Sequence, residues 1–179
     1  MNFSNFTRRC RLFIDQTQNE ALVNQHQQII PEHLINILLK NNQNNNFRLL
    51  ETINFDRDMI QQYIENKYKE TPKVLGKNLK IFFSSDFISI LKKANKDLII
   101  FGDKFISPEI LLYSLTSIKD IKIAVIMANA GITIEKVENS IKSLRKNKTI
   151  DTETMDENNK LLDNYTIDIT SLAKQGKLD

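Results

Sequence analysis

Tryptophan is absent from the 179 residues, cysteine occurs once, and only four glycines and three prolines interrupt the chain. A lone cysteine excludes an internal disulfide framework and any metal centre built on several thiolates. Cys10 falls among the apolar positions of a helical pattern, which fits a buried thiol. So few breakers leave room for long helices, with each glycine or proline marking a boundary. Apolar runs approaching the ~20 residues that span a bilayer are also missing, so no membrane partner is expected. The opening Met1-Asn2-Phe3-Ser4-Asn5-Phe6-Thr7-Arg8-Arg9 lacks the apolar stretch of a secretory signal, and a cytoplasmic location is expected. Charge of one sign is lacking too. The 25 basic and 22 acidic side chains are scattered, leaving +3 and no dense Lys/Arg stripe, which argues against a nucleic-acid partner.

Reactive constellations are equally scarce. His26 and His33 lie in a loop and in the first turn of a helix, without the Cys/His/carboxylate spacing of a metal site, and read as solvated polar residues. No serine sits in a nucleophile elbow and no Cys/His pairing emerges. Gly76-Lys77 and Gly176-Lys177 lack the upstream glycine and following Ser/Thr of a phosphate loop. The expectation is a chain with no catalytic residue, no metal ligand and no cofactor.

What is present is a repeat. At 41% apolar and 26% charged, the composition is that of one globular domain with a tail. Shifted by 77 residues, the sequence lies over itself without a gap from Phe6 to about Lys69. Phe6 falls on Phe83, Thr7 on Ser84, Ile14 on Leu91, Leu22 on Ile99, Ile29 on Ile106, Pro31 on Pro108, Glu32 on Glu109 and Leu38 on Leu115. Asn54 falls on Gly131, which predicts that both halves end a helix there in a left-handed turn.

Each half reads as four helices. The first spans about 5–24, with Phe6, Cys10, Phe13, Ile14, Thr17 and Ala21 on one stripe. The second starts at Pro31, whose fixed φ suits a first helical position, with Glu32 in the positive end of the dipole and Leu34, Ile37 and Leu38 inward. A short third runs 47–53. The fourth starts behind Asp56 as N-cap and carries Met59, Ile60, Tyr63 and Ile64 inward. In the second half the helices begin near Ser85, at Pro108 behind Ser107, near Lys119 and near Thr133. The stretch 70–80, holding Pro72 and Gly76, reads as the hinge between halves. Asn41 to Asn46 reads as a tolerant surface loop. From Lys146 to Asn159 the chain is polar and mixed in charge, which is linker composition. Beyond it Leu161, Leu162, Tyr165, Ile169 and Leu172 return at helical spacing before Gly176.

Three stretches carry a family likeness: Phe6-Thr7; His26-Gln27-Gln28 ahead of Pro31-Glu32-His33-Leu34; and Gly102-Asp103-Lys104-Phe105-Ile106-Ser107-Pro108-Glu109. Together they resemble the Clp N-terminal repeat domain, in its ClpB branch. The tail from Tyr165 to Thr170 and from Ala173 to Asp179 is similar to the lead-in of the first AAA+ ATPase domain of that branch. The resemblance implies an all-α fold of two pseudo-symmetric four-helix repeats, 6–71 and 83–146 within a domain of 3–146. A linker (147–158) and the truncated start of an AAA+ domain (159–179) would follow. It further implies a substrate-binding module of a disaggregase that rescues aggregated proteins after heat stress with the DnaK chaperone system. The parent would be a homohexamer with ATP and Mg in downstream domains, and the fragment a monomer taking unfolded or aggregated polypeptides. An alternative is adaptor docking for a protease-feeding unfoldase of the ClpA or ClpC branch.

By the same resemblance Thr7, Asp103 and Glu109 match positions implicated in substrate handling, and Leu91 and Ile110 match an apolar groove beside them. Thr7 and Glu109 equally fit plain capping and dipole roles, Asp103 a turn, and Leu91 and Ile110 a core. Lys93 and Asp97 stand where the family often has leucines on the groove, leaving a narrower groove or a wall made by Leu98 and Ile99. Ile30 stands where a capping Thr or Ser is common.

Overall fold

The computed structural model describes residues 2–157, so the expectations for 159–179 lie outside the described residues. Helix boundaries follow the caps. Thr7, Asp56, Ser84, Ser107 and Thr133 each take a backbone N–H of the first turn on their side-chain oxygen, from Cys10, Met59, Phe87, Ile110 and Lys136. Behind them run α1 (Arg8–Val23), α3 (Arg57–Glu70), α4 (Ser85–Phe101), α5 (Pro108–Thr116) and α7 (Ile134–Arg145). The remaining helices are α2 (Pro31–Gln43) and α6 (Lys122–Ala130), and a 3-10 helix at Arg48–Thr52, between α2 and α3, stands in place of the third helix of the first half. Ile30 has no oxygen to cap α2. His33 compensates: its Nδ1 accepts the Ile30 N–H at 3.0 Å.

The 77-residue shift maps one half's contacts onto the other's. α1 packs on α2 as α4 packs on α5, and α3 meets α6 as α7 meets the 3-10 helix. Two short parallel pairings cross between halves. β1 (Gln28–Ile29) pairs with β2 (Phe82–Phe83), and the shift-related Phe6 and Ile106 form an isolated bridge. One apolar core runs through both halves. α2 and α5 are buried on nearly every side, which explains why their sequences, unlike that of α7, show no wide polar face. The shift also relates two buried carboxylates. Glu20 on α1 is held by Asn36 and Lys40 of α2 and by Tyr68, and Asp97 on α4 by Lys93 and by Ser114 of α5.

Several expectations are corrected. His26 and His33 are not solvated: both are fully buried, with Nδ1 of the first 2.9 Å from Nε2 of the second and Tyr68 against both rings. Gly131 does take a left-handed φ of 113° at the end of α6, but Asn54 does not, because the 3-10 helix ahead of it already ends at Ile53. A side chain at Gly131 would press on the Asn54 carbonyl, at 2.8 Å from a Cβ. Met59 is exposed. Asn41 and Asn42 belong to the end of α2 and are buried, donating to the Ile37 and Phe47 carbonyls, so only the later part of the Asn tract is surface loop. The stretch read as linker does not leave the domain at Lys146. As far as residue 157 it lies against it, with Ile150 and Asp156 buried.

Candidate functional site

The segments leading into α1 and α5 lie side by side. The Thr7 N–H donates to the Ile106 carbonyl at 2.9 Å and the Ile106 N–H to the Asn5 carbonyl at 2.8 Å. This bridge brings the first turns of two helices from different halves to one seam, and four of the five residues singled out in the sequence gather along it. Thr7 caps α1 and donates its hydroxyl to Asp156 at 2.9 Å. Glu109, in the first turn of α5, accepts from Arg9 with both oxygens at 3.1 Å. Arg9 also donates to the Asn46 carbonyl and lies over the rings of Phe13 and Phe47. Asp103, in the turn after α4, accepts from Arg145 at 2.6 Å and from the Ile150 N–H at 3.0 Å. Ile110 sits behind Glu109, fully inside the core.

Leu91 lies apart from these polar contacts. It is buried at the floor of a depression of ≈ 570 Å³, lined also by Asn5, Phe6, Lys92, Asn95 and Ile106. All five residues are therefore largely covered, and each of the polar ones is hydrogen-bonded within the chain. Asp97 points between α4 and α5, and so lies in a helix interface and not on a groove wall. Ile99 is highly exposed, while Leu98 packs on the core.

The sequence reading missed the other half of the seam. α1 has no acidic residue in its first turn, yet carries Arg8, Arg9 and Arg11 there, against the preference of a helix N-terminus for negative charge. The acids come from far along the chain. Glu157 pairs with Arg8 at 2.8 Å, Glu153 with Arg11 at 2.9 Å, and Asp156 lies 3.6 Å from Arg9. Burial, then the neighbouring Glu109, pushes the Asp156 carboxyl up to about 6, with Arg9 and Thr7 opposing. Burial likewise raises Asp103 above the ordinary carboxylate range, against Arg145. The run of arginines near the N-terminus was the one available signal. Beside the seam, Arg8, Arg9, Leu12, Phe13, Asn41, Arg48 and others line an open groove of ≈ 630 Å³. The groups here are hydrogen-bond donors and acceptors in mutual contact. Among the described residues no cluster of three metal-binding side chains occurs.

The profile of the Clp repeat (R) N-terminal domain family matches residues 5–130, the greater part of the chain. The chain belongs to that family. This Clp N-domain is 31% identical over 179 residues to "Chaperone protein ClpB" of Mesorhizobium japonicum, covering 100% of this chain and 21% of that protein. The ClpB of Rickettsia prowazekii is 31% identical over 180 residues with the same coverage. The Clp N-domain thus spans about a fifth of the length of the curated relatives it matches, and corresponds to their N-terminal region. Among solved structures it is similar to the Hsp104 N-terminal domain of Candida albicans, with a TM-score of 0.70 at 19% identity, covering 86% of this chain and 100% of that one. The N-terminal domain of ClpD from Arabidopsis thaliana matches with a TM-score of 0.60 at 17% identity, covering 80% and 96%. These likenesses fix the fold: a mostly helical Clp N-domain. Among the described residues no helix is long and apolar enough to cross a membrane.

Proposed function

We propose that this domain engages unfolded or aggregated polypeptide and hands it to the ATP-driven machine of a ClpB-type disaggregase. The observation carrying this reading is that the whole chain, including the part beyond the repeat pair, is similar to ClpB chaperones. The parent is then a cytoplasmic homohexamer that binds ATP and Mg in downstream domains and works with the DnaK system after heat stress. The domain itself contributes no catalysis and is a monomer when isolated.

The seam supports the reading physically. Unfolded clients share exposed apolar side chains and backbone polar groups and little else, so a weak, shallow site with an apolar floor and a few fixed polar groups suits them. Leu91 supplies apolar floor in the depression beside the seam, and Ile110 backs the seam itself. Thr7, Asp103 and Glu109 brace the seam from beneath through Asp156, Arg145 and Arg9. Amide chemical shifts of the domain, recorded while casein is added, test the proposal. Shifts clustered at residues 5–12, 91–96 and 103–110 are expected, and a spectrum that does not change would reject client binding.

A further inference from the structure

Residues 150–157 lie on the seam as a ligand would. Ile150 is the buried apolar anchor, its carbonyl accepting from the Lys104 N–H at 2.9 Å and its N–H donating to Asp103. The Glu153 carbonyl accepts the Arg8 N–H at 2.9 Å. Glu153, Asp156 and Glu157 then meet Arg11, Arg9 and Arg8 in turn. The Asp156 side chain is only 2% exposed, yet among the described residues its Oδ1 has no hydrogen-bond partner. The outer ties are weak. The Arg8–Glu157 and Arg11–Glu153 pairs are solvent-exposed on at least one side, and exposed ion pairs add little in water. Asp156 and Glu109 compete for the single guanidinium of Arg9.

A segment held by one apolar anchor, the backbone of Ile150 and Glu153, a buried Asp156 bonded to Thr7, and two outer acid–arginine pairs that are partly exposed makes contacts that another peptide can reproduce. We propose that the seam is a recognition site for short acidic peptides with an apolar anchor, that residues 150–157 occupy it in cis, and that an acidic stretch of a client enters by displacing them. The source of the ligand rests on the client-binding reading above; the site itself does not.

A fluorescein-labelled synthetic copy of residues 148–157 is titrated by anisotropy into the chain and into a variant carrying Glu153→Gln, Asp156→Asn and Glu157→Gln together. The variant should bind the peptide roughly tenfold more tightly, the size expected when a few ion pairs are removed from the cis competitor. Equal affinities, or no binding to a variant that melts cooperatively, overturn the proposal. A second pair of changes, Arg8→Gln with Arg11→Gln on the outer face of α1, guards against a misfolded first variant. It should speed hydrogen exchange at amides 150–157 at least severalfold, and unchanged exchange there overturns the proposal too. Casein is titrated in parallel. Casein bound by neither chain while the peptide binds defeats the client-binding reading alone. Casein bound equally by both chains while the peptide fails defeats only this one.

Discussion

Acid should weaken this domain through its buried histidine pair, and the donors around it set the sign. His33 Nδ1 accepts the Ile30 N–H, so the proton of a neutral His33 sits on Nε2 and points at His26 Nδ1. Both rings are then neutral, and a second proton on either nitrogen of that line would set one N–H against another in a site closed to water. Burial, reinforced by His26 and opposed by Glu20, brings His33 down from 6.5 to about 4. Burial also lowers His26, with Lys73 adding to the effect and Tyr68 and Glu20 opposing. A depressed histidine pKa means that the unfolded chain takes up protons first. Its contribution is present in full above about pH 6.5 and is lost as the pH falls toward 4. For His33 alone, 6.5 against about 4 predicts a loss of about 2 kcal/mol between pH 7 and pH 5. Urea unfolding at pH 7.5, 6, 5 and 4.5 measures it. Carboxylates such as Glu20, which the fold holds below its ordinary value, also weaken the domain in acid, so the informative quantity is the difference from a variant with His26→Gln and His33→Gln. That variant starts less stable but should show a shallower pH dependence. Parallel curves for the two proteins, or a His33 midpoint near 6.5 by NMR, refute the reasoning.

Gly131→Ala should cost about 1–3 kcal/mol in urea unfolding, because φ is 113° there and the new Cβ would meet the Asn54 carbonyl at 2.8 Å. A change below about 0.5 kcal/mol would show that this turn yields freely. Asp103→Ala should destabilise by about 3–5 kcal/mol by leaving the Arg145 guanidinium buried without its carboxylate, and adding Arg145→Met should recover a good part of that in the same assay. Thr7→Ala removes the α1 cap and the tie to Asp156, and should lower stability by about 1 kcal/mol while raising hydrogen exchange at residues 153–157. Cys10 is enclosed and burial raises its thiol well above the ordinary range, so a thiol reagent should leave the native domain untouched and react only on unfolding.

The repeat was legible because each half writes its helix starts with the same chemistry. Thr7 and Ser84, Asp56 and Thr133, and Pro31 and Pro108 hold equivalent places, and local capping does not depend on distant residues. What failed was whatever depends on a partner elsewhere in the fold. His26 and His33 look like solvated polar residues of a loop and of a helix start until α3 brings Tyr68 over them. Asn54 matched Gly131 in type but not in conformation, because a 3-10 helix in the first half replaces an α-helix in the second. Residues 147–157 carry linker composition, and their acids acquire meaning only beside arginines some 140 positions earlier. Of the seam, Thr7, Asp103 and Glu109 were found through family resemblance, whereas Arg9, Arg145 and Asp156, which hold them, were not.

The crossed pairings bind the halves to one fate. The strand before α2 needs the entry to α4, and the entry to α1 needs the strand before α5, so neither half can satisfy its own backbone at these points. Cut at the hinge, each piece would present an open edge beside a bared apolar flank, and the nearest cure would be a second copy of itself. The double chain reads as a clasped dimer made permanent by one covalent join, and it is expected to melt as a unit, with both halves lost in one transition.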